Sequence, residues 1–189
     1  MEFQSLLAGG GFTLLTPADI GFNCDVEETG TTFEANALIK AEALRAFTNY
    51  PILSDDSGLE VDALDGAPGI YSARYSASDN FKDADGKPLH IAAANRKKLM
   101  AVMDGKTNRK ARFHCVLCFL KPNEQPFFFA ATCEGKIAEQ ERGEGGFGYD
   151  PLFIPDGYDK TFGALSEKVK DDLSHRGKAV QLFLKSELT

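Results

Sequence analysis

Two rhythms of apolar and polar residues divide the chain, and the switches between them outline its elements. Over ETGTTFEANALIKAEALRAFTN, residues 28–49, apolar positions recur every three or four residues, the spacing of a helix with one buried stripe. Thr31-x-x-Glu34 predicts a capping box at its start. Around 51–54 and 58–63 apolar residues run together or alternate with acidic ones, which predicts two short strands with DDSG as the turn between them. GAPGIYSARYS is a Gly/Pro-punctuated loop, and residues 88–103 predict a helix. ARFHCVLCFL and QPFFFAATCEGKIAE predict two strands paired around KPNE. The Gly-rich GEGGFGYDPLFIP leads into a short strand, and SEKVKDDL and HRGKAVQLFLKSEL predict two closing helices. Strands interleaved with helices imply an α/β layered domain with a mixed sheet.

Length and charge narrow the picture further. At 189 residues the chain suits one domain, residues 1–189, with a substantial core. A 43% apolar and 26% charged composition is that of a soluble globular protein. The net charge of −7 gives no electrostatic reason to bind nucleic acid or anionic membranes. A polyanionic ligand would have to meet locally gathered positive charge or a metal. No run is apolar and long enough to span a membrane, and MEFQSLLAGGGFTLL lacks the basic residues of a secretory signal. Four cysteines without a tight framework suit a reducing cytoplasm. Cys115 and Cys118 form a CxxC, but residues three apart on a strand point to opposite faces, so both are expected in the core rather than on one metal.

Four stretches carry candidate chemistry, each with an ordinary structural alternative. Asp55 and Asp56 repel each other; either they serve turn chemistry, bonding nearby backbone, or a divalent cation offsets the repulsion. On a helical wheel Phe33, Ala37, Leu44 and Phe47 share one side, with Lys40 in its middle and Asn36 one turn before. Lys40 either snorkels to water or aims its ammonium at phosphate. In GEGGFGYDP the glycines allow close backbone approach, Phe147 and Tyr149 offer flat surfaces for a base, and Asp150 adds an acceptor; the alternative is a plain Gly-rich loop. In LSHRGKAV, Ser174 predicts an N-cap, which puts His175 and Arg176 in a first helical turn. A cation there opposes the helix dipole, and a residue set against local preference is a functional hint.

Taken together and in order, EETGTTFEANALIKA, SDDSGLEVDALDGAPGIYSARYS, ARFHCVL, GGFGYDPLF and LSHRGKA resemble the inosine triphosphate pyrophosphatase family, from about Glu27 to the C-terminus. The resemblance implies an elongated α/β fold, two lobes around a central cleft, usually as a homodimer. It implies Mg²⁺-dependent hydrolysis of the deaminated purine nucleotides ITP, dITP and XTP to the monophosphate and pyrophosphate. By motif position, Glu27 and Asp56 correspond to the metal carboxylates, and Asp56 also to the base that activates water. Ser57 and Lys40 correspond to phosphate or substrate contacts. Phe147, Gly148, Tyr149, Asp150, Lys170, His175 and Arg176 correspond to the base-binding set.

The chain departs from the family at its start. Members begin with a strand and a (Ser/Thr)-x-Asn-x-x-Lys loop, and no Asn-x-x-Lys precedes Glu27. MEFQSLLAGGGFTLL is therefore expected to be the remainder of the first helix and the strand after it, with Met1 internal to a longer natural protein. Two alternatives stay open. One is a non-catalytic nucleotide-binding or interaction protein that lost turnover with its first strand. The other is a Maf-like pyrophosphatase of different base preference, against which the SHR and FGYD motifs argue.

Overall fold

The computed structural model describes residues 2–7 and 10–187. It contains helices α1 (Glu2–Leu7), α2 (Phe33–Arg45), α3 (Ile91–Val102), α4 (Glu167–Leu173) and α5 (His175–Glu187). Its strands are β1 (Ile52–Val61), β2 (Lys110–Leu120), β3 (Phe127–Ile137) and β4 (Phe153–Pro155). Among the described residues they form one antiparallel sheet in the order β1-β2-β3-β4. Gly135 of β3 sits opposite Pro155 of β4, where a Cβ would run into the Ile154 carbonyl. The α/β class expected from the sequence is what the structure shows, with an antiparallel sheet among the described residues where a mixed one was expected. The expected end of the last helix at Leu188 lies outside the described residues.

The chain falls into two units. The first comprises the chain up to Ser57, Cys115–Ala131 and the chain from His175. Its core has two layers separated by the sheet. Cys115, Leu117 and Phe119 of β2 pack with Leu7 of α1 and Ala179, Val180 and Phe183 of α5. Cys118 and Leu120 pack instead with Ala37 and Ala41 of α2 and with Ile52. The strand period of two thus gives each face its own helix, and it sends Cys115 and Cys118 into different layers as expected. The second unit comprises Gly58–His114 and Thr132–Ser174. There Leu99 and Met103 pack on Leu59, Val61, Phe113 and Ile137, joined by Tyr149, Phe153 and Phe162.

Four expectations are corrected. The DDSG segment is not a turn: β1 runs through it without a break and Gly58 continues the strand. A turn forms when Asp and Ser side chains bond their own backbone. Here Ser54, Asp55 and Asp56 are drawn away, Ser54 by the Ala37 carbonyl of α2 at 2.6 Å. The helix cap is Thr32 rather than Thr31, its hydroxyl accepting from the Ala35 amide at 3.1 Å, so Glu34 falls one position early for a capping box. No strand forms at Phe12–Leu15, because no strand of the sheet pairs with it among the described residues; Phe12, Leu14 and Leu15 stay exposed. Phe47 lies past the last residue of α2, off the wheel that placed it inward, and is exposed with its ring edge-on to Phe22.

Thiol reactivity follows from this packing. Cys24 is exposed while Cys115, Cys118 and Cys133 are buried, and burial pushes the Cys118 thiol up to about 11. Thiolate is the reactive form, so a raised pKa and lack of access act together. One thiol should react with an aromatic disulfide reagent in the native protein, and all four after unfolding. Rapid native labelling of Cys118, read by peptide mass, would contradict the layer assignment.

Candidate functional site

In the first unit, α2 and β1 bring a cation between carboxylates. Thr32 starts α2 so that Asn36 and Lys40, one turn apart, face β1. Asn36 is fully buried; its amide donates to Asp56 Oδ2 at 3.2 Å and its oxygen accepts from the Gly30 amide at 2.9 Å. A Cβ at Gly30 would stand 2.6 Å from that oxygen, so glycine is needed for the approach. Lys40 Nζ reaches Asp56 Oδ1 at 2.7 Å, Glu28 Oε1 at 2.7 Å and the Asp55 carbonyl at 3.0 Å. An ammonium has three donors, and three acceptors meet it. Lys40 does not snorkel.

The two partners respond differently. Burial raises the Asp56 carboxyl pKa more than Lys40 and Asn36 lower it, and the charge of Glu28 adds to the rise. For Lys40 burial works against the charge, but Asp56 and Glu28 outweigh it and hold the ammonium above its ordinary value. Asp56 is thus a carboxylate held near a cation, yet readier to accept a proton than an exposed one.

The neighbouring Asp55 points the other way. Its Oδ2 accepts from Ser57 Oγ at 3.0 Å and lies 3.3 Å from Arg176 Nε, in the first turn of α5. Asp55, Asp56, Ser57, Lys40 and Arg176, named separately from the sequence, are therefore together in this unit. Glu27 is exposed, and it is Glu28 that reaches Lys40. The EE pair in EETG was the only signal for Glu28, and it could not say which residue turns inward. His175 is buried at 4% exposure.

The second unit holds the other group. Asp150 Oδ2 accepts from Lys170 Nζ at 2.7 Å and from the Phe147 amide at 2.8 Å. The same ammonium lies 4.4 Å from the centre of the Phe147 ring, a cation–π arrangement. Gly146 has φ +77°, and a Cβ there would collide with the Asp150 carboxylate, which explains the glycine. Phe147 is half-exposed and leaves a flat surface for a ligand. Tyr149 does not: its ring is in the core of the unit and its hydroxyl donates to the Ser72 carbonyl at 3.0 Å, because after Gly148, at positive φ, the chain from Tyr149 onward runs into the core. Burial also raises its pKa. Sequence reasoning missed what holds this loop. Arg96 of α3 donates to the Gly148 carbonyl at 3.0 Å and pairs with Glu141 at 3.0 Å. Asn95 beside it binds the Ser72 and Ala73 carbonyls and accepts from Ser76. A cavity of about 330 Å³ in this unit, lined by Arg109, Lys136, Arg142 and Asp159 among others, shares no residue with this group. Its Arg109 is a strut, bonded to the Ile137, Ala138 and Met103 carbonyls.

The model of the Ham1 family matches residues 1–186. A dITP/XTP pyrophosphatase of Exiguobacterium sp. is 42% identical over 180 residues, 95% of this chain and 87% of that protein. The dITP/XTP pyrophosphatase of Bacillus subtilis is 42% identical over 186 residues, 97% of this chain and 89% of the other. The structure of a HAM1 protein from Coxiella burnetii superposes with a TM-score of 0.86 at 34% identity, covering 99% of this chain and 91% of that one.

The ion pair makes a stability prediction with a definite sign. Replacing Lys40 by Met leaves Asp56 buried without its ammonium, a loss of about 1–3 kcal/mol near neutral pH. Without Lys40 the raised carboxyl pKa rises further, so the penalty for ionisation is present above that pKa and fades as pH falls and Asp56 takes up a proton. Denaturant unfolding of K40M against wild type should show a deficit that shrinks from about pH 8 to about pH 5. A deficit that does not change with pH would count against the pair.

Proposed function

This chain belongs to the Ham1 family, and from that premise we propose that it hydrolyses dITP, ITP and XTP to the monophosphate and pyrophosphate with Mg²⁺. The observation that carries the reading is Asp56, a buried carboxylate poised by Asn36 and Lys40 in the unit that also holds Ser57 and Arg176. Asp56 takes the proton of the attacking water and must be ionised to do so. Lys40 and Ser57 contact the triphosphate. Phe147, with Asp150 and Lys170 behind it, offers a face and a charged edge suited to a purine base. His175 and Arg176 complete the base-binding set.

The donor chemistry fits the metal. Glu28 and Asp56 are hard oxygen ligands that here converge on the Lys40 ammonium, and Glu27 precedes Glu28 in the chain. No cluster of three or more metal-ligating side chains occurs among the described residues. Mg²⁺ suits such a set, because it is commonly held by one or two carboxylates together with substrate phosphates and water. Bound there, it would neutralise charge developing on the phosphates. We extend the proposal to a homodimer in the cytoplasm, where the buried cysteines would remain reduced. No helix of the described residues is long and apolar enough to cross a membrane.

Pyrophosphate release is the direct test. It should be rapid for dITP and XTP, lost on chelation and restored by Mg²⁺. ATP should lag by as much as roughly 10⁴-fold, since a site built for a 6-oxo group leaves donors unpaired against adenine. Asp56→Asn should keep the fold and lower kcat by about 10²–10⁴-fold. Nucleotide binding without pyrophosphate release from the wild type would favour the non-catalytic alternative.

A further inference from the structure

Asp55 has no part in the chemistry just assigned, yet its carboxylate reaches two residues assigned to the substrate, Ser57 and Arg176. We propose that Asp55 is a positioning residue that fixes Ser57 and Arg176 for the nucleotide, and so governs base selection rather than metal binding; this rests on the functional reading above. Three observations carry it. First, β1 alternates buried and half-buried positions through this stretch, so Asp55 and Ser57 share the face opposite Asp56. Second, one oxygen, Asp55 Oδ2, serves both Ser57 Oγ at 3.0 Å and Arg176 Nε at 3.3 Å. Any shift of that carboxylate moves two substrate-contact residues that are 119 positions apart, Ser57 and Arg176. Third, Arg176 lies in the first turn of the 13-residue α5, where the helix dipole disfavours a cation. An anion within hydrogen-bond reach offsets that, and Asp55 supplies one. The side chains are 27% and 18% exposed, sheltered enough for the pair to be held yet open to a ligand. The contact runs through Nε, the guanidinium nitrogen nearest the main chain, which fixes the plane of the group.

The substitutions separate the two partners. Asn at position 55 keeps an acceptor for Ser57 and loses the charge that holds Arg176, whereas Ala loses both. The test is a double-mutant cycle of D55N and R176A, with kcat and KM measured for dITP and ATP. D55N should lower kcat/KM for dITP by about tenfold or more, mostly through KM, and change ATP hydrolysis little. The double mutant should be no worse than R176A alone, and D55A should be worse than D55N. Additive losses, or a D55N defect that falls equally on dITP and ATP through kcat, would overturn the proposal in favour of a metal or structural role. If D55N fails to fold, D55E and R176K carry the same cycle. Wild-type pyrophosphate release scores the functional reading separately. The cycle is also read as dITP binding by calorimetry, so a chain that binds without turnover still tests the coupling. A chain that does neither overturns both.

Discussion

The pleat of β1 at Asp55 and Asp56 is the constraint on which the first unit turns. Two adjacent carboxylates in a turn would share one patch of solvent and repel across it. In an extended strand they leave the backbone on opposite sides, and each meets the helix that covers its own face. Asp56 faces α2, with Lys40 and Asn36; Asp55 faces α5, with Arg176. The repulsion is thus relieved twice over, by separation and by a cation on each side. The two-layer core of this unit, with Cys118 against α2 and Cys115 against α5, is the apolar form of the same geometry.

Burial sets the character of each pair. Taking ions out of water costs several kcal/mol apiece, and attraction returns that only where geometry and hydrogen bonding are good. Around Lys40 they are good, with every ammonium donor matched. Asp56 remains the strained member, because its burial outweighs its partners. A fold selected only for stability would place an apolar pair there. A carboxylate kept charged against its own burial is instead what proton transfer requires, since its basicity exceeds that of an exposed aspartate. The half-buried Asp55–Arg176 pair contributes less to stability and more to orientation.

Much of the fold was legible where local pattern and tertiary environment agree. The β2–β3 hairpin, α3, α4 and the opposite-facing cysteines followed from periodicity alone. DDSG failed as a turn because the partners that Asp55 and Asp56 find outside the segment come from residues 16 to 121 positions away, beyond the reach of any local rule. Phe12–Leu15 has the composition of a strand, but a strand exists only with a partner ladder, which composition cannot supply. Thr31 and Thr32 are both good caps, and the choice depended on where Asn36 had to point. The site residues were legible as a set of types. Whether Glu27 or Glu28 turns inward, or whether Tyr149 is ligand surface or core, needed the packing.

The second unit shows why the loop chemistry there was hardest to read. Phe147 and Asp150, on a glycine-rich segment with no regular structure, form a closed arrangement with Lys170 of α4, carboxylate to ammonium to ring. Such a segment is specified only if something rigid holds it. Here α3 supplies Arg96 to the Gly148 carbonyl and Asn95 to the Ser72 and Ala73 carbonyls, while Tyr149 ties the loop to Ser72 from the other side. In the sequence, Asn95 and Arg96 are two polar residues on an ordinary amphipathic helix. The bonds by which they hold Gly148, Ser72 and Ala73 run to backbone carbonyls, which carry no side-chain signature. A residue that positions a site through main-chain atoms leaves its mark in the structure, and its sequence context alone does not reveal it.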